Sequence, residues 1–188
     1  MTGAEIITCL ESMTVIVDTR EQPSARALKR YKRFGCPYSR RKLEYGDYTF
    51  NFAKPDGKPL FDDTEAVKPP VVIERKASLE ELSGNLTEKR QEKHKEMNVR
   101  NRFEAELKLA HDNGASVYLL IEDAALSNVL NHQYNTKLNE ASFFHTLTAY
   151  MARYDLKLIF CRADESGGVI KEILFRELKE RLTRGEYG

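Results

Sequence analysis

This sequence predicts an α/β sandwich: one domain with a mixed sheet flanked by helices. Short apolar runs carry the prediction first, among them Val15-Ile16-Val17, Val71-Val72-Ile73, Val117 to Ile121 and Leu158-Ile159-Phe160. They alternate with longer stretches of helical periodicity. Size agrees, since 188 residues at 41% apolar content can build one real core.

The elements follow in order. Thr14 to Asp18 reads as the first strand. Pro23 opens a helix to about residue 34, where its missing N–H leaves nothing unsatisfied. Strands are expected near 38–44, 47–53 and 70–76. The stretch 51–70 holds the turn signal Pro55-Asp56-Gly57 and is expected as a solvated hairpin or loop on the sheet edge. Helices are expected near 78–84 and 86–113. The second is read as long and exposed because Glu88 to Glu96 mixes charge signs at helical spacing. Phe103, Leu107 and Ala110 then restore an apolar stripe. After Asn113-Gly114 come a strand at 116–122, a helix at 138–154, a strand at 157–161 and a helix at 168–183. Phe143, Phe144, Leu147, Tyr150 and Met151 share one broad face of the 138–154 helix. Residues 1–13 are expected as a loose tail and 184–188 as a frayed end.

A net charge of +1 excludes a global polycation, but its distribution is uneven. Ser24 to Lys42 carries eight basic residues and no acid: Arg26, Lys29, Arg30, Lys32, Arg33, Arg40, Arg41 and Lys42. Tyr31, Phe34 and Tyr38 are interleaved, which suits a face that tracks a phosphate backbone. The three cysteines, Cys9, Cys36 and Cys161, lack metal-site spacing and read as reduced residues of an intracellular protein. His94, His111, His132 and His145 show no paired ligand spacing. No apolar run approaches a membrane span.

The chemistry concentrates in Val71-Val72-Ile73-Glu74-Arg75-Lys76, preceded at a distance by Gly46-Asp47-Tyr48. In a strand, residues i and i+2 share a face at roughly 6.5–7 Å. Glu74 and Lys76 therefore stand together, with Arg75 opposite. An acid from a neighbouring strand end beside Glu74 would make two hard oxygen ligands for magnesium, with an ammonium alongside. Alone, the pair reads equally as a surface ion bridge worth about 0–1 kcal/mol. Asp18 also closes a strand, where α/β sheets gather their ligands. Helix N-cap and metal ligand are both open to it.

The strings Asp18-Thr19-Arg20-Glu21, Tyr45-Gly46-Asp47-Tyr48 and Val72-Ile73-Glu74-Arg75-Lys76-Ala77-Ser78-Leu79-Glu80 together resemble the XPF-type nuclease domain. That is the excision-repair cross-complementing group four domain, patterned G-D-x(n)-E-R-K-x-x-x-D. It is a branch of the PD-(D/E)xK restriction-endonuclease-like superfamily. The resemblance runs from about Thr14 to about Leu182 and implies a restriction-endonuclease-like mixed sheet over 14–183.

The resemblance also implies a Mg²⁺- or Mn²⁺-dependent, structure-specific DNA endonuclease acting on flaps, forks or branched junctions in repair or recombination. Asp47 and Glu74 would bind the metal with the Arg75 carbonyl, Lys76 would be the catalytic lysine, and Asp18 and Glu21 would stand around the metal. Arg20 and Arg75 would organise the site. Glu80 replaces the family's final Asp, one methylene longer. DNA contacts are expected from Arg20, Lys29, Arg30, Arg33, Arg40, Arg41 and Arg90, with Arg100 and Arg102 as further candidates. The family also implies a homodimer or heterodimer through the last two helices. The cell compartment would be bacterial or phage-infected cytoplasm, or a nucleus. Two alternatives stay open: a non-catalytic DNA-binding partner on this fold, and a sequence-specific restriction-type enzyme.

Overall fold

The computed structural model describes residues 1–63, 66–87, 89–92 and 95–187, the side chains from 89 to 101 excepted. Its strands form a mixed six-stranded sheet of order β2-β1-β3-β4-β7-β8. These are β1 (Thr14–Asp18), β2 (Tyr38–Arg41), β3 (Tyr48–Asn51), β4 (Val71–Lys76), β7 (Ser116–Glu122) and β8 (Lys157–Cys161). The ribbon β5 (Lys89–Glu92) and β6 (Lys95–Asn98) is a separate antiparallel pair. The chain divides into two compact units, Met1–Ile73 with Asp164–Gly188, and Glu74–Ala163. β4 runs through the division.

The first unit is built on β1. Its register is parallel to β2 (Val15↔Tyr38 to Asp18↔Arg41) and antiparallel to β3 (Thr14↔Asn51 to Val17↔Tyr48). Val15, Ile16 and Val17 are fully buried, as a strand covered on both faces requires. Helices α1 (Gly3–Glu11), α2 (Ala25–Lys32) and α7 (Ser166–Thr183) belong to this unit. α1 replaces the expected loose tail: Thr2 and Glu5 form a reciprocal capping box, and Cys9 is buried. Residues 184–187 do not fray either, and Gly188 lies outside the described residues. Tyr187 packs its ring on Phe52 at 5.3 Å, and Glu186 takes both Arg181 and Arg184.

Gly46 shows why the turn before β3 needs glycine. Its φ is +69°, and an added Cβ would lie 2.0 Å from Val72 Cγ2. Gly46→Ala should combine left-handed strain with a clash in packed core, costing about 2 kcal/mol or more. A urea midpoint that does not move would refute this account.

In the second unit, β7 and β8 are parallel and α4 (Val99–Asp112) packs on β7. α3 (Leu79–Thr87), α5 (Leu126–Leu130) and α6 (Glu140–Tyr154) complete it. The expected 86–113 helix is corrected here: α3 runs on to Thr87, the β5–β6 ribbon intervenes, and α4 starts only at Val99. A charge-alternating segment satisfies a solvated two-stranded ribbon as well as a helix, and period alone cannot separate them. Phe143, Leu147 and Tyr150 of α6 are buried, whereas Met151 is exposed.

Candidate functional site

At the end of β4, Lys76 Nζ donates to Glu74 Oε1 at 2.7 Å, as their i,i+2 spacing requires. Glu74 and Lys76 keep only 12% and 9% of their side chains exposed, so this is not an ordinary surface bridge. The ammonium also lies 5.0 Å from the centre of the Phe103 ring, a buried residue of α4. Glu74 and Phe103 both help to fix this charge. Oε2 of Glu74 accepts no hydrogen bond from a described residue. Arg75 points the other way, its Nη1 bonding the fully buried Glu122 at 3.1 Å.

Glu74 and Lys76 line a recess of about 140 Å³ together with Glu81, Asn85, Arg102 and Phe103. Glu81 sits in the first turn of α3, where its carboxylate accepts from the Ala77 N–H at 2.7 Å and its own N–H reaches Ser78 Oγ at 3.3 Å. Asn85 Oδ1 is buried and has no hydrogen-bond partner among the described residues. Sequence reasoning had no role for Glu81 or Asn85. Their i,i+4 spacing on a helix that follows E-R-K is the signal that would have found them. Glu80, expected at the site, is exposed and accepts from the Asn135 N–H at 2.9 Å, a bond that holds its carboxyl below the usual range. It braces α3 against a loop.

In the first unit, Asp47 is half-buried, with its N–H on the Ile73 carbonyl at 2.9 Å and its own carbonyl on the Asp18 N–H at 2.8 Å. Ile73 immediately precedes Glu74 in the chain. The Asp18 carboxylate is fully buried and fully used: Oδ1 takes the Arg20 N–H at 2.6 Å and Arg20 Nε at 2.9 Å, and Oδ2 takes the Leu43 N–H at 2.7 Å. Those donors occupy the oxygens a metal would need. The helix N-cap alternative fails as well, because Ser24 caps α2 by accepting from the Ala27 N–H. Asp18 holds Arg20, whose side chain stays 52% exposed.

Glu21 spends one carboxylate oxygen on the fold. Its Oε1 accepts from Arg30 Nη1 and the Tyr48 hydroxyl, both at 2.9 Å. Arg30 is corrected with it: it is only 4% exposed and cannot reach a phosphate. Arg41 is likewise committed, bonding the carbonyl oxygens of Phe61 and Asp62 and lying 3.7 Å from Asp63. It anchors the loop between β3 and β4, whose tip turns at Gly57. Arg40 is exposed and donates to the Thr19 and Glu21 carbonyls. Lys29 and Arg33 are exposed. The side chains of Arg90 and Arg100 lie outside the described residues.

The described residues form a mixed α/β sheet whose strands end in charge. The ERCC4 domain model matches residues 17–173, and the chain belongs to that family. XPF from Aeropyrum pernix shares the fold at TM-score 0.58 and 16% identity, covering 93% of this chain and 69% of that one. XPF from Aeropyrum pernix in complex with DNA gives TM-score 0.56 and 17% identity, covering 89% of this chain and 65% of that one. The chain thus spans about two thirds of those structures. No curated protein matches it by sequence. Family and fold support a role in cutting or binding DNA.

Proposed function

We propose that this chain is a metal-dependent endonuclease that hydrolyses phosphodiester bonds in flap, fork or branched DNA. The observation that carries this reading is the shielded Glu74–Lys76 pair, held in an acid-lined recess by Phe103. Among the described residues no group of three or more His, Cys, Asp or Glu forms a ready metal cluster. Magnesium needs only one or two protein carboxylates plus a substrate phosphate. Glu74 fits that part: a hard oxygen donor with Oε1 on an ammonium and Oε2 accepting from no described residue. By family resemblance, Asp47 of the G-D motif would be the second ligand. The Arg75 carbonyl supports it by family resemblance.

The cation, when bound, supplies a Lewis acid and lowers the pKa of a coordinated water. The chain's own groups do the rest. Lys76, held by Glu74 and Phe103, presents its ammonium where negative charge grows on the phosphate or the attacking water, and needs no reorganisation to do so. Arg20 takes the phosphate contact, a role its 52% side-chain exposure supports. Asp18 and Glu21 act by positioning.

The test is incubation with labelled duplex, 3′-flap and fork DNA, with Mg²⁺, Mn²⁺ or chelator. Nicking of branched DNA only with a divalent cation is expected. Tight binding with no cleavage under either metal would replace the reading by a non-catalytic DNA-binding partner. Cutting of linear duplex at one defined sequence would replace it by a restriction-type enzyme.

A further inference from the structure

One groove in the first unit is used by neither the recess nor the fold. It measures about 670 Å³ and is lined by Leu28, Tyr31 and Lys32 of α2, by Gly35, and by Pro37 and Tyr38 at the start of β2. Two of its apolar residues are unusually open, Leu28 at 46% and Tyr38 at 44% exposure. The Tyr38 ring is nevertheless held in place. It lies 5.0 Å from Tyr31 and 6.2 Å edge-on to Phe34, which are both buried. An exposed aromatic face on a rigid support is what a planar ligand needs. The buried Tyr31 hydroxyl has no hydrogen-bond partner among the described residues, so the wall keeps an unsatisfied polar atom.

The segment that lines the groove is basic, although the Glu21 carboxylate also reaches the Tyr31 hydroxyl with its field. Ser24 to Lys42 contains no acid. Arg30 and Arg41 are consumed by the fold, so the exposed cations of this run are Arg26, Lys29, Lys32, Arg33, Arg40 and Lys42. Lys171 of α7 adds its field: burial pushes the Cys36 thiol up, and Lys171 opposes that rise. β2 is the edge strand of the sheet, so nothing in the sheet covers its outer side. An anionic, partly aromatic occupant matches this surface. A flat apolar protein patch would leave the cations unpaired. A paired duplex would keep its bases stacked on one another and away from Tyr38.

We propose that this groove docks one unstacked base of a single-stranded DNA arm, the base lying on the Tyr38 ring and its phosphate on the Lys32 ammonium. The inference rests on the DNA-acting function above and narrows its substrate to branches with an unpaired arm. Stacking on an aromatic ring tolerates any base, so the contact reads strandedness and not sequence.

Fluorescence tests it, in chelator so that no cleavage intervenes. Fork DNA carrying 2-aminopurine at successive positions of its single-stranded arm is titrated with the full chain. Quenching confined to one or two arm positions is expected. Tyr38→Leu should abolish it and weaken fork binding roughly tenfold, and Tyr38→Phe should restore both. Blunt duplex should show no comparable loss. Lys32→Ala should lower the salt dependence of fork binding by about 0.7 in log–log slope. Equal fork affinity for wild type and Tyr38→Leu would overturn the proposal, as would a groove blocked by self-association in sedimentation. Failure here with intact metal-dependent nicking removes the groove alone. Quenching without nicking under any metal removes the nuclease reading alone.

Discussion

Lys76→Met should lower metal-dependent cleavage of branched DNA roughly 100- to 1,000-fold, the usual loss when one preorganised charge at a reacting oxyanion is removed. Glu74→Gln should lose at least as much, because an amide is a poor ligand for a hard cation. The geometry sharpens the expectation. Lys76 meets Glu74 at 2.7 Å and Phe103 at 5.0 Å, so its ammonium has no freedom to be replaced by a drifting neighbour. Binding should respond in the opposite sense from catalysis. Glu74→Gln removes a negative charge from a surface that must accept phosphate, so fork affinity in chelator should hold or rise. Lys76→Met should bind slightly more weakly. Single-turnover cleavage rates, paired with affinity in chelator and a thermal melt of each variant, separate these effects. Nicking at wild-type rate by a folded Glu74→Gln protein would falsify the assignment of the site.

The sequence carried most of the sheet because burial leaves a direct trace. Val15 to Val17, Val71 to Ile73 and Leu119 to Ile121 are all essentially fully buried, and each was visible as an uninterrupted apolar run. Glu74, Arg75 and Lys76 were legible for the same reason, since period two fixes which side chains share a face. Segments whose stability does not come from apolar periodicity were missed. α1 depended on the Thr2–Glu5 capping box, a two-residue signal that an apolar scan passes over. The β5–β6 ribbon had a charge pattern that fits helix and strand alike, and no apolar one. Composition also could not sort the basic run from Ser24 to Lys42. Arg30 and Arg33 look alike in the sequence, yet one is buried and the other exposed, because only the first faces Glu21, Tyr48 and Ser166.

That difference yields a large stability effect at Arg30. Arg30 lies inside a closed polar network: Nε donates to Ser166 Oγ at 3.1 Å, and Nη1 donates to Glu21 Oε1 at 2.9 Å and to the Tyr48 hydroxyl at 3.1 Å. The approach of α7 that supplies Ser166 depends on Gly167, where a Cβ would lie 2.2 Å from the Arg30 carbonyl oxygen. Arg30→Met removes the cation paired with the Glu21 carboxylate, which is only 13% exposed. Stranding one member of such a pair costs about 3–5 kcal/mol when it is fully buried, and Glu21's residual exposure places the expected loss at the lower end, about 3 kcal/mol. Arg30→Lys should recover little, since one ammonium cannot span two directions at once. Adding Glu21→Gln to Arg30→Met should restore part of the stability, because the orphaned charge is then gone and the two effects are not additive. Urea midpoints of the single and double variants measure this directly. The salt slope of DNA binding supplies the contrast. Folded Arg30→Met should keep the wild-type slope, whereas Lys29→Ala and Arg33→Ala should each reduce it by about 0.9 on duplex if they meet phosphates. An Arg30 variant with full stability and a reduced slope would return this residue to the DNA-contacting face and undo the assignment of the network to the fold.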